Sequence, residues 1–369
     1  MAVLRRPRTC QGLASRLLRY PVVMGGVGQV SRARLELTRE QIVTYRRSVN
    51  ALDERLPPGP TSLRRAAWAG LQDSMPRAAV LSIHARVHRT GPETWEDRSL
   101  VQLWGPRFSA YVVAARDLAV FSLGRLPDDA KGRHRAADLA RRLHAFLDGR
   151  RMPYGAAGDA LGVVANMLRY AAPTGTVLIR WDGSRQPTIW SVPAPDIDPS
   201  DARLELARRY LHIFGPSTPA AFAQWAGIGP AGGRAAFDRL AGSLTPAKTP
   251  VGDAWILSRD EPTFGLPAGA ADSVRLLPSG DAYFLLQGAD REILVPDPVH
   301  RAELWTPRVW PGAILLEGDI VGTWRRAGSD VTIAAWRRLS RAEREAVEAE
   351  AASMPLAGIP HSVRVRWEE

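Results

Sequence analysis

Three consecutive polar side chains, Gln72, Asp73 and Ser74, offer an amide, a carboxylate and a hydroxyl at one corner of the chain. Leu71 closes the apolar run before them. Pro76 stands near the first position of a following helix, where its missing N–H costs nothing. Either Asp73 or Ser74 caps that helix by accepting hydrogen bonds from its first free N–H groups, or the triplet holds a water molecule or the edge of a nucleobase.

A second pattern with possible chemistry is the pair His84 and His88, four residues apart in the predicted helix, which is the spacing of a metal-binding pair. No glutamate follows His84 as it does in the metalloprotease motif. The sequence offers no obvious third ligand. We therefore interpret both histidines as solvated helix residues and predict no metal site.

The composition limits the classes of protein. A chain of 369 residues with 45% hydrophobic residues is ordinary for a globular protein of two to four domains. No apolar run reaches the roughly 18 residues of a membrane-spanning helix, so no membrane association is predicted. A single cysteine, Cys10, excludes an internal disulfide framework and a cysteine-rich zinc site. We expect a cytoplasmic protein.

The net charge of +11 is unevenly distributed. Residues 1–35 hold seven arginines and no acidic residue, which leaves an excess of four positive charges for residues 36–369. A basic protein suits polyanions such as nucleic acid. We expect residues 1–35 to be a disordered extension outside the folded unit; a basic arm on nucleic acid and a targeting peptide are the alternatives.

The elements that must position the polar corner form a winged-helix pattern. Thr38 with Gln41 is a capping box that opens a first helix. Further helices are predicted at about 61–71 and 76–88, so that the corner lies where the third helix begins. Strands at 100–104 and 108–113, joined by a turn at 105–107, form a hairpin. Three helices and a hairpin are typical of a winged helix.

The pattern recurs twice before the composition changes. Thr218 followed by Pro219 marks a helix start in the third copy. After about residue 272, strands alternate with turns, including strands expected at 282–286 and 293–295, and Ser340 with Glu343 opens one helix. The predicted fold is α+β: three tandem winged-helix units followed by a β-rich, mainly antiparallel C-terminal domain. The predicted boundaries are 1–35 for the extension, 36–126, 130–195 and 200–262 for the winged helices, and 272–369 for the C-terminal domain.

The order of these parts resembles the AlkZ/YcaQ family of DNA glycosylases. The resemblance rests on Gly70-Leu71-Gln72 and on segments 210–227, 276–283, 294–297 and 321–325. It implies a C-shaped protein that cradles duplex DNA and hydrolyses the N-glycosidic bond of bulky alkylated purines, with no metal and no organic cofactor. The family's catalytic motif is Gln-x-Gln or Gln-x-Asp. Its first glutamine corresponds to Gln72, whereas its third position is occupied here by Ser74.

This departure concerns the chemistry directly. Removing a cationic purine is a task of positioning a water and stabilising positive charge on the sugar. Ser74 offers only a hydroxyl, and Asp73 occupies the middle position of the motif. Asp281 could supply a negative charge if the terminal domain packs against the corner. The catalytic candidates are therefore Gln72, Asp73, Ser74 and Asp281.

Five further side chains are candidates for DNA binding. Arg107 at the hairpin tip suits a phosphate or a groove, or is a solvated turn residue. Trp324 with Arg325 forms a wall of the DNA cleft, or is packing plus surface charge. Arg77 and Tyr283 complete the set; the alternative for Tyr283, as for Asp281, is an ordinary turn or strand residue. We expect a monomer that binds double-stranded DNA in the nucleoid, either as a glycosylase or as a non-catalytic regulator or lesion-recognition protein.

Overall fold

Helices and four small β-sheets make up the part of the chain that the computed structural model describes: residues 34–75, 77–183, 186–267, 274–356 and 363–368. The α+β class predicted from the sequence is confirmed. The α-helices are α1 Arg39–Val49, α2 Pro60–Ala66, α3 Ala78–His84, α4 Leu118–Leu123, α5 Ala130–Leu147, α6 Tyr154–Ala160, α7 Pro199–Phe214, α8 Pro219–Ala226, α9 Pro230–Leu240, α10 Glu261–Phe264, α11 Asp290–Leu294, α12 Pro298–Leu304 and α13 Arg341–Ala352.

The strands are short and widely separated along the chain. They are β1 Leu35–Glu36, β2 Leu71–Gln72, β3 Leu100–Trp104, β4 Ala110–Ala114, β5 Met152–Pro153, β6 Val177–Arg180, β7 Thr188–Ser191, β8 Leu244–Thr249, β9 Gly252–Leu257, β10 Arg275–Leu277, β11 Gly312–Leu316, β12 Asp319–Ala327, β13 Asp330–Ala335 and β14 Arg364–Trp367. Three sheets have three strands each, in the orders β2-β4-β3, β5-β7-β6 and β1-β8-β9, and the fourth has the order β10-β11-β12-β13-β14.

Local capping signals account for several helix starts. The Thr38 side chain accepts from Gln41 N–H while the Gln41 side chain accepts from Thr38 N–H, so the predicted capping box is present. Ser340 and Glu343 form the same reciprocal pair at α13. Thr218 caps α8 through Ala221 N–H. All three predictions are confirmed, because each depends on residues within one helical turn.

The helix predicted at 61–71 is too long, and Gln72 does not open a helix. Helix α2 ends at Ala66, and Gly70 adopts a left-handed φ of 75° that breaks the helical path. Leu71 and Gln72 then form strand β2, opposite Val112 and Tyr111 of β4. The polar corner is therefore a strand-to-helix corner, and α3 begins only at Ala78.

Helix α1 does not belong to the apolar core of its neighbours α2 and α3. That core includes Leu63, Leu71, Val80 and Val112, and it contains no residue of α1. Instead, Tyr45 on α1 packs face to face on Phe264 at 3.8 Å between ring centroids. The expectation that α1 completes a three-helix unit with α2 and α3 is wrong, because its apolar face is used by α7, α10 and α11.

The chain is already ordered at Leu35, earlier than expected. Strand β1 pairs in parallel with β8, with Leu35 opposite Ala247. The expected boundary of the N-terminal extension at residue 35 is therefore wrong by at least one residue. The remainder of that extension up to residue 33, together with Pro76, lies outside the described residues.

The C-terminal region differs from expectation in two segments. The strands expected at 282–286 and 293–295 are wrong: the structure has a short 3-10 turn at Ala282–Phe284 and helix α11 at Asp290–Leu294. Both are short apolar runs, for which periodicity does not separate strand from helix. The sheet is antiparallel from β10 to β13, and β14 joins it in parallel. In the described residues no helix is long and apolar enough to cross a membrane.

Candidate active site

The side chain of Gln72 is held at the junction between the first sheet and the C-terminal region. Its backbone lies in β2, opposite Tyr111. Its Oε1 lies 3.5 Å from Nη2 of Arg107, at the long limit for a hydrogen bond. Gly280 presses against the amide: a Cβ on that residue would lie 3.2 Å from Cδ and Nε2 of Gln72. The amide is half-buried and is positioned from three directions.

Asp73 supports the corner and is turned away from solvent. One carboxylate oxygen accepts from Ala79 N–H at 3.0 Å, so Asp73 satisfies a free N–H at the start of α3 as predicted, although the N-cap position itself is held by Arg77. The other accepts from Nε2 of Gln102 at 2.8 Å. Burial raises the pKa of this carboxyl to about 6, against the opposing effects of Ala79 N–H, Arg77 and Gln102. With 2% of its surface exposed, Asp73 fixes the corner from inside.

Ser74 and Arg77 each carry a buried polar atom that forms no hydrogen bond within the described part of the chain: Oγ of Ser74 and Nη1 of Arg77. The prediction of Ser74 as the alternative cap is wrong. Among the described residues its Oγ accepts no hydrogen bond from α3, whereas Asp73 accepts one from Ala79 N–H. Arg77 has a left-handed φ of 68°, and its guanidinium lies 4.1 Å from the ring of Trp95. A buried hydroxyl without a partner is the kind of group that an ordered water satisfies.

Asp281 is not a free carboxylate. It forms a bidentate ion pair with Arg86, at 2.7 Å from each of two guanidinium nitrogens, and accepts from Oγ of Ser82 at 2.6 Å. It also accepts from Tyr283 N–H, and its side chain is 0% exposed. The prediction that Asp281 supplies a catalytic charge is therefore wrong. Its role is to anchor the turn that places Gly280 on Gln72.

A cavity of about 190 Å³ opens beside the corner. Met75, Ala78 and Leu81 line it from the corner and α3, and Trp324 lines it from β12. Arg325 and Arg326 also line this cavity, and burial lowers the pKa of Arg326. The remaining lining residues come from two loops of the C-terminal region: Pro278, Ser279, Val309, Trp310, Pro311 and Gly312. Apolar walls with a few charged groups are typical of a ligand pocket.

The structure places the candidates for DNA binding in different environments. Tyr283 is 2% exposed, so the prediction that it contacts DNA is wrong. Trp324 is 5% exposed and donates from Nε1 to the Leu277 carbonyl, so it packs the sheet and forms a cavity wall. Arg325 is exposed beside it. Arg107 is half-buried and reaches Gln72, although its hairpin turn is packed inside the protein rather than free as a wing.

The two histidines do not form a pair on one helix. Helix α3 ends at His84, so His88 lies beyond it in an exposed position. Both ring nitrogens of His84 are within hydrogen-bond distance of hydroxyls, those of Thr90 and Ser353. Burial lowers the pKa of His84 to about 4. The interpretation of His84 as a solvated helix residue is wrong, because this ring is half-buried between two hydroxyls.

Sequence reasoning did not identify Gln102, Trp95 or Gly280 as parts of the site. Gln102 and Trp95 come from elements 20 to 30 residues after the corner, and Gly280 arrives from the far end of the chain. Only Gly280 carried a usable signal. A Ser-Gly-Asp turn after a strand favours a left-handed glycine, and its φ is 76°.

Comparison with known proteins agrees with this architecture. A family profile described as "DNA glycosylase AlkZ-like" matches residues 65–355, a range that includes the corner and the lining of the cavity. The fold is similar to that of the Streptomyces sahachiroi DNA glycosylase AlkZ, with a TM-score of 0.73 and 18% sequence identity. The match covers 90% of this chain and 100% of that chain. No sequence among curated proteins matches.

Proposed function

The chain belongs to the AlkZ-like family of DNA glycosylases, and from that membership we propose that it hydrolyses the N-glycosidic bond of bulky alkylated purines in double-stranded DNA. The observation that carries the proposal is the placement of Gln72. Its amide is positioned by β4, by Arg107 and by Gly280, at a junction that also holds a cavity with apolar and charged walls. Such fixed placement is what a water-positioning group requires.

The chemistry asks little of the leaving group. In an N7-alkylated purine the base is already positively charged, so the electron pair of the C1′–N9 bond neutralises it as that bond breaks. The oxygen of a water molecule forms the new bond to C1′, and one proton of that water is released. Oε1 of Gln72 accepts a hydrogen bond from this water, and the unpartnered Oγ of Ser74 is the second contact.

Neither Asp73 nor Asp281 takes the proton. Asp73 and Asp281 both accept two or more hydrogen bonds from the protein, so the proton passes to solvent. A positioned general base contributes about 10²- to 10⁴-fold to a rate. We therefore propose a slow enzyme whose catalysis rests on positioning. The cavity arginines, Arg325 and Arg326, suit a backbone phosphate rather than a cationic base.

The tandem winged-helix organisation is part of this proposal. In the sheet β5-β7-β6, the strand that precedes α6 pairs with the last strand of its own hairpin. In the third group, Ser217 before α8 bridges to Trp255 on β9 in the same manner. These two groups support winged helices at 130–195 and 200–262. For 36–126 the support comes from α2, α3 and the sheet β2-β4-β3, without α1.

One observation favours a second function, recognition of a lesion without turnover. The third position of the family's catalytic motif is Ser74, and both nearby carboxylates are occupied. A protein that binds alkylated duplex and leaves the glycosidic bond intact would use the same corner and cavity. The arginines around the site predict that binding weakens steeply as salt increases in either case.

The test is an incubation of the purified protein with duplex DNA that carries a single guanine with a bulky alkyl group at N7, scored for abasic sites. We expect slow formation of abasic sites, abolished by Gln72→Ala and accelerated by Ser74→Asp. Gln186→Ala, at an exposed glutamine of the second hairpin region, is the matched control and should retain the rate. Binding without abasic sites would establish the lesion-recognition alternative, and unchanged activity in Gln72→Ala would refute the assigned site.

A further inference from the structure

A second cleft lies where the first hairpin meets the second and third groups of helices. Its cavity measures about 440 Å³, and we call it the junction cleft. Two aromatic rings stand in it: Phe108 from the first hairpin turn and Tyr170 from the second group, in edge-to-face contact at 4.8 Å between centroids. Both side chains are half-buried. Its other lining residues are Arg125, Pro127, Asp128, Asp129, Gly132, Arg135, Pro173 and residues 227–231.

Three guanidiniums surround these rings. Arg125 lies 5.1 Å from the ring of Phe108, Arg135 lies 5.0 Å from that of Tyr170, and Arg169 lies 5.5 Å from that of Tyr170. Arg125 is structural, because it is 3% exposed and donates to backbone carbonyls. Arg135 is exposed and lines the cavity, whereas Nε of Arg169 is buried and Arg169 is not among the lining residues. Of the three cations, Arg135 therefore remains for a ligand.

The carboxylates in the junction cleft are already engaged. Asp128 forms an ion pair with Arg203, and Asp129 caps α5 by accepting from Gly132 N–H at 2.6 Å. The charge of Asp128 is thereby offset by Arg203, and that of Asp129 is directed to the backbone at the start of α5. The remaining charge around the two rings is positive, which favours an anion beside the guanidiniums.

The backbone is held in an unfavourable conformation to place one of these rings. Arg107 and Phe108 are consecutive non-glycine residues with left-handed φ values of 53° and 57°. Gly227 lets this turn approach closely: a Cβ there would lie 3.0 Å from the backbone nitrogen of Arg107. Strained residues of this kind occur at ligand sites. The same turn presents Arg107 to Gln72 and Phe108 to the junction cleft.

We propose that the junction cleft binds one unpaired nucleotide of a DNA strand, distinct from the base at Gln72. The base stacks on Tyr170, with the ring of Phe108 edge-to-face beside it, and the phosphate pairs with Arg135. Aromatic faces next to guanidiniums are how proteins hold single-stranded nucleotides. The inference rests on the proposed binding of DNA. Because Arg107 and Phe108 are neighbours, the two sites lie within reach of one distorted stretch of duplex.

The test compares the affinities for two fluorescent probes, a paired duplex and the same duplex with one bulged 2-aminopurine. Free adenosine monophosphate serves as an unlabelled competitor. We expect the bulged duplex to bind about 5- to 100-fold more tightly than the paired one, in line with the stacking of one base, with quenched 2-aminopurine emission. Tyr170→Leu should lose this preference and Tyr170→Trp should keep it. Affinity for the paired duplex reports whether each variant is folded.

Charge is tested on one helix. Arg135→Ala should weaken binding of the bulged duplex about tenfold, whereas Arg141→Ala, an exposed arginine of α5 paired with Asp138, should not. Equal affinity for bulged and paired duplex, or full preference in Tyr170→Leu, would overturn the inference. Efficient competition by free adenosine monophosphate would identify a mononucleotide site instead. A preference for the bulged duplex without any formation of abasic sites would refute the glycosylase proposal and support the nucleotide site in the junction cleft.

Discussion

Replacing Asp73 by asparagine tests the physical account of the corner most directly. The carboxylate is an acceptor for two donors, Ala79 N–H and Nε2 of Gln102. Gln102 cannot turn its amide over without cost, because its Oε1 accepts from Trp181 N–H at 2.6 Å. An asparagine at position 73 keeps one acceptor and places an NH₂ group against the NH₂ group of Gln102.

Two effects of this substitution oppose each other. Burial raises the pKa of Asp73 from 3.8 to about 6, which corresponds to about 3 kcal/mol of destabilisation when the carboxyl is ionised, at 1.36 kcal/mol per unit. Asparagine removes this cost. It also leaves a buried donor unsatisfied, at about 1–3 kcal/mol. At pH 7.5 the variant should therefore lie within about 2 kcal/mol of the parent protein.

The pH dependence carries the sharper expectation. Because the folded state has the higher pKa, it binds more protons than the unfolded state between about pH 4 and 6. The free energy of unfolding contributed by Asp73 is then highest in acid and falls as the pH rises through 6. Between pH 7.5 and pH 5 the parent should gain about 1.4 kcal/mol relative to Asp73→Asn.

Urea unfolding at pH 5 and 7.5 measures this difference. Other titrating groups change stability as well, among them His84 with its pKa lowered to about 4, and the comparison of two proteins at each pH cancels them. Asp159→Asn, at an exposed aspartate, is the control and should show no relative change. If the gap between parent and Asp73→Asn stays constant over this range, Asp73 is not a buried, titrating support of the corner.

The remaining predictions concern the turn that carries Gly280. Asp281→Asn leaves the buried arginine partner without a counter-charge, so urea unfolding should show a loss of about 3–5 kcal/mol; a loss below about 1 kcal/mol would contradict the buried pair. Gly280→Ala places a Cβ against Gln72 at a left-handed φ, which costs about 1–2 kcal/mol and should also slow the formation of abasic sites. Gly288→Ala, with a left-handed φ but no neighbour within 4 Å, should cost similar stability and leave the rate unchanged.

The features that could be predicted from the sequence are those whose cause is local. The capping boxes at Thr38 and Ser340 and the cap at Thr218 involve residues three apart. The sequence pattern therefore contains both partners of each hydrogen bond. The α+β class follows from hairpin turns and helical periodicity. Gln72 became a candidate through a resemblance, and no local rule identifies it as a site residue.

Three of the errors share a physical cause, which is pairing with distant parts of the chain. Strand β2 has two residues, and it exists because β4 supplies the hydrogen bonds. Asp281 looked available, since nothing near it in sequence indicates Arg86, 195 residues away. The sequence of helix α1 predicts a clear apolar face, but it does not predict whether that face packs against α3 or α7. Side-chain type and spacing determine which surface a helix or strand must bury. Which other element covers that surface depends on the fold of the whole chain.

The position of α1 has a consequence for the order in which the protein acquires its structure during synthesis. Arg46 donates to the carbonyls of Phe214 and Gly215, and Tyr45 donates to Asp260. Strand β1 likewise cannot pair until β8 has been synthesised. Some 200 residues must therefore leave the ribosome before the first helix finds its partners, whereas α2, α3 and their sheet have their own core. We expect a nascent chain with a folded middle and an unattached beginning, a state in which chaperones have an amphipathic helix to hold.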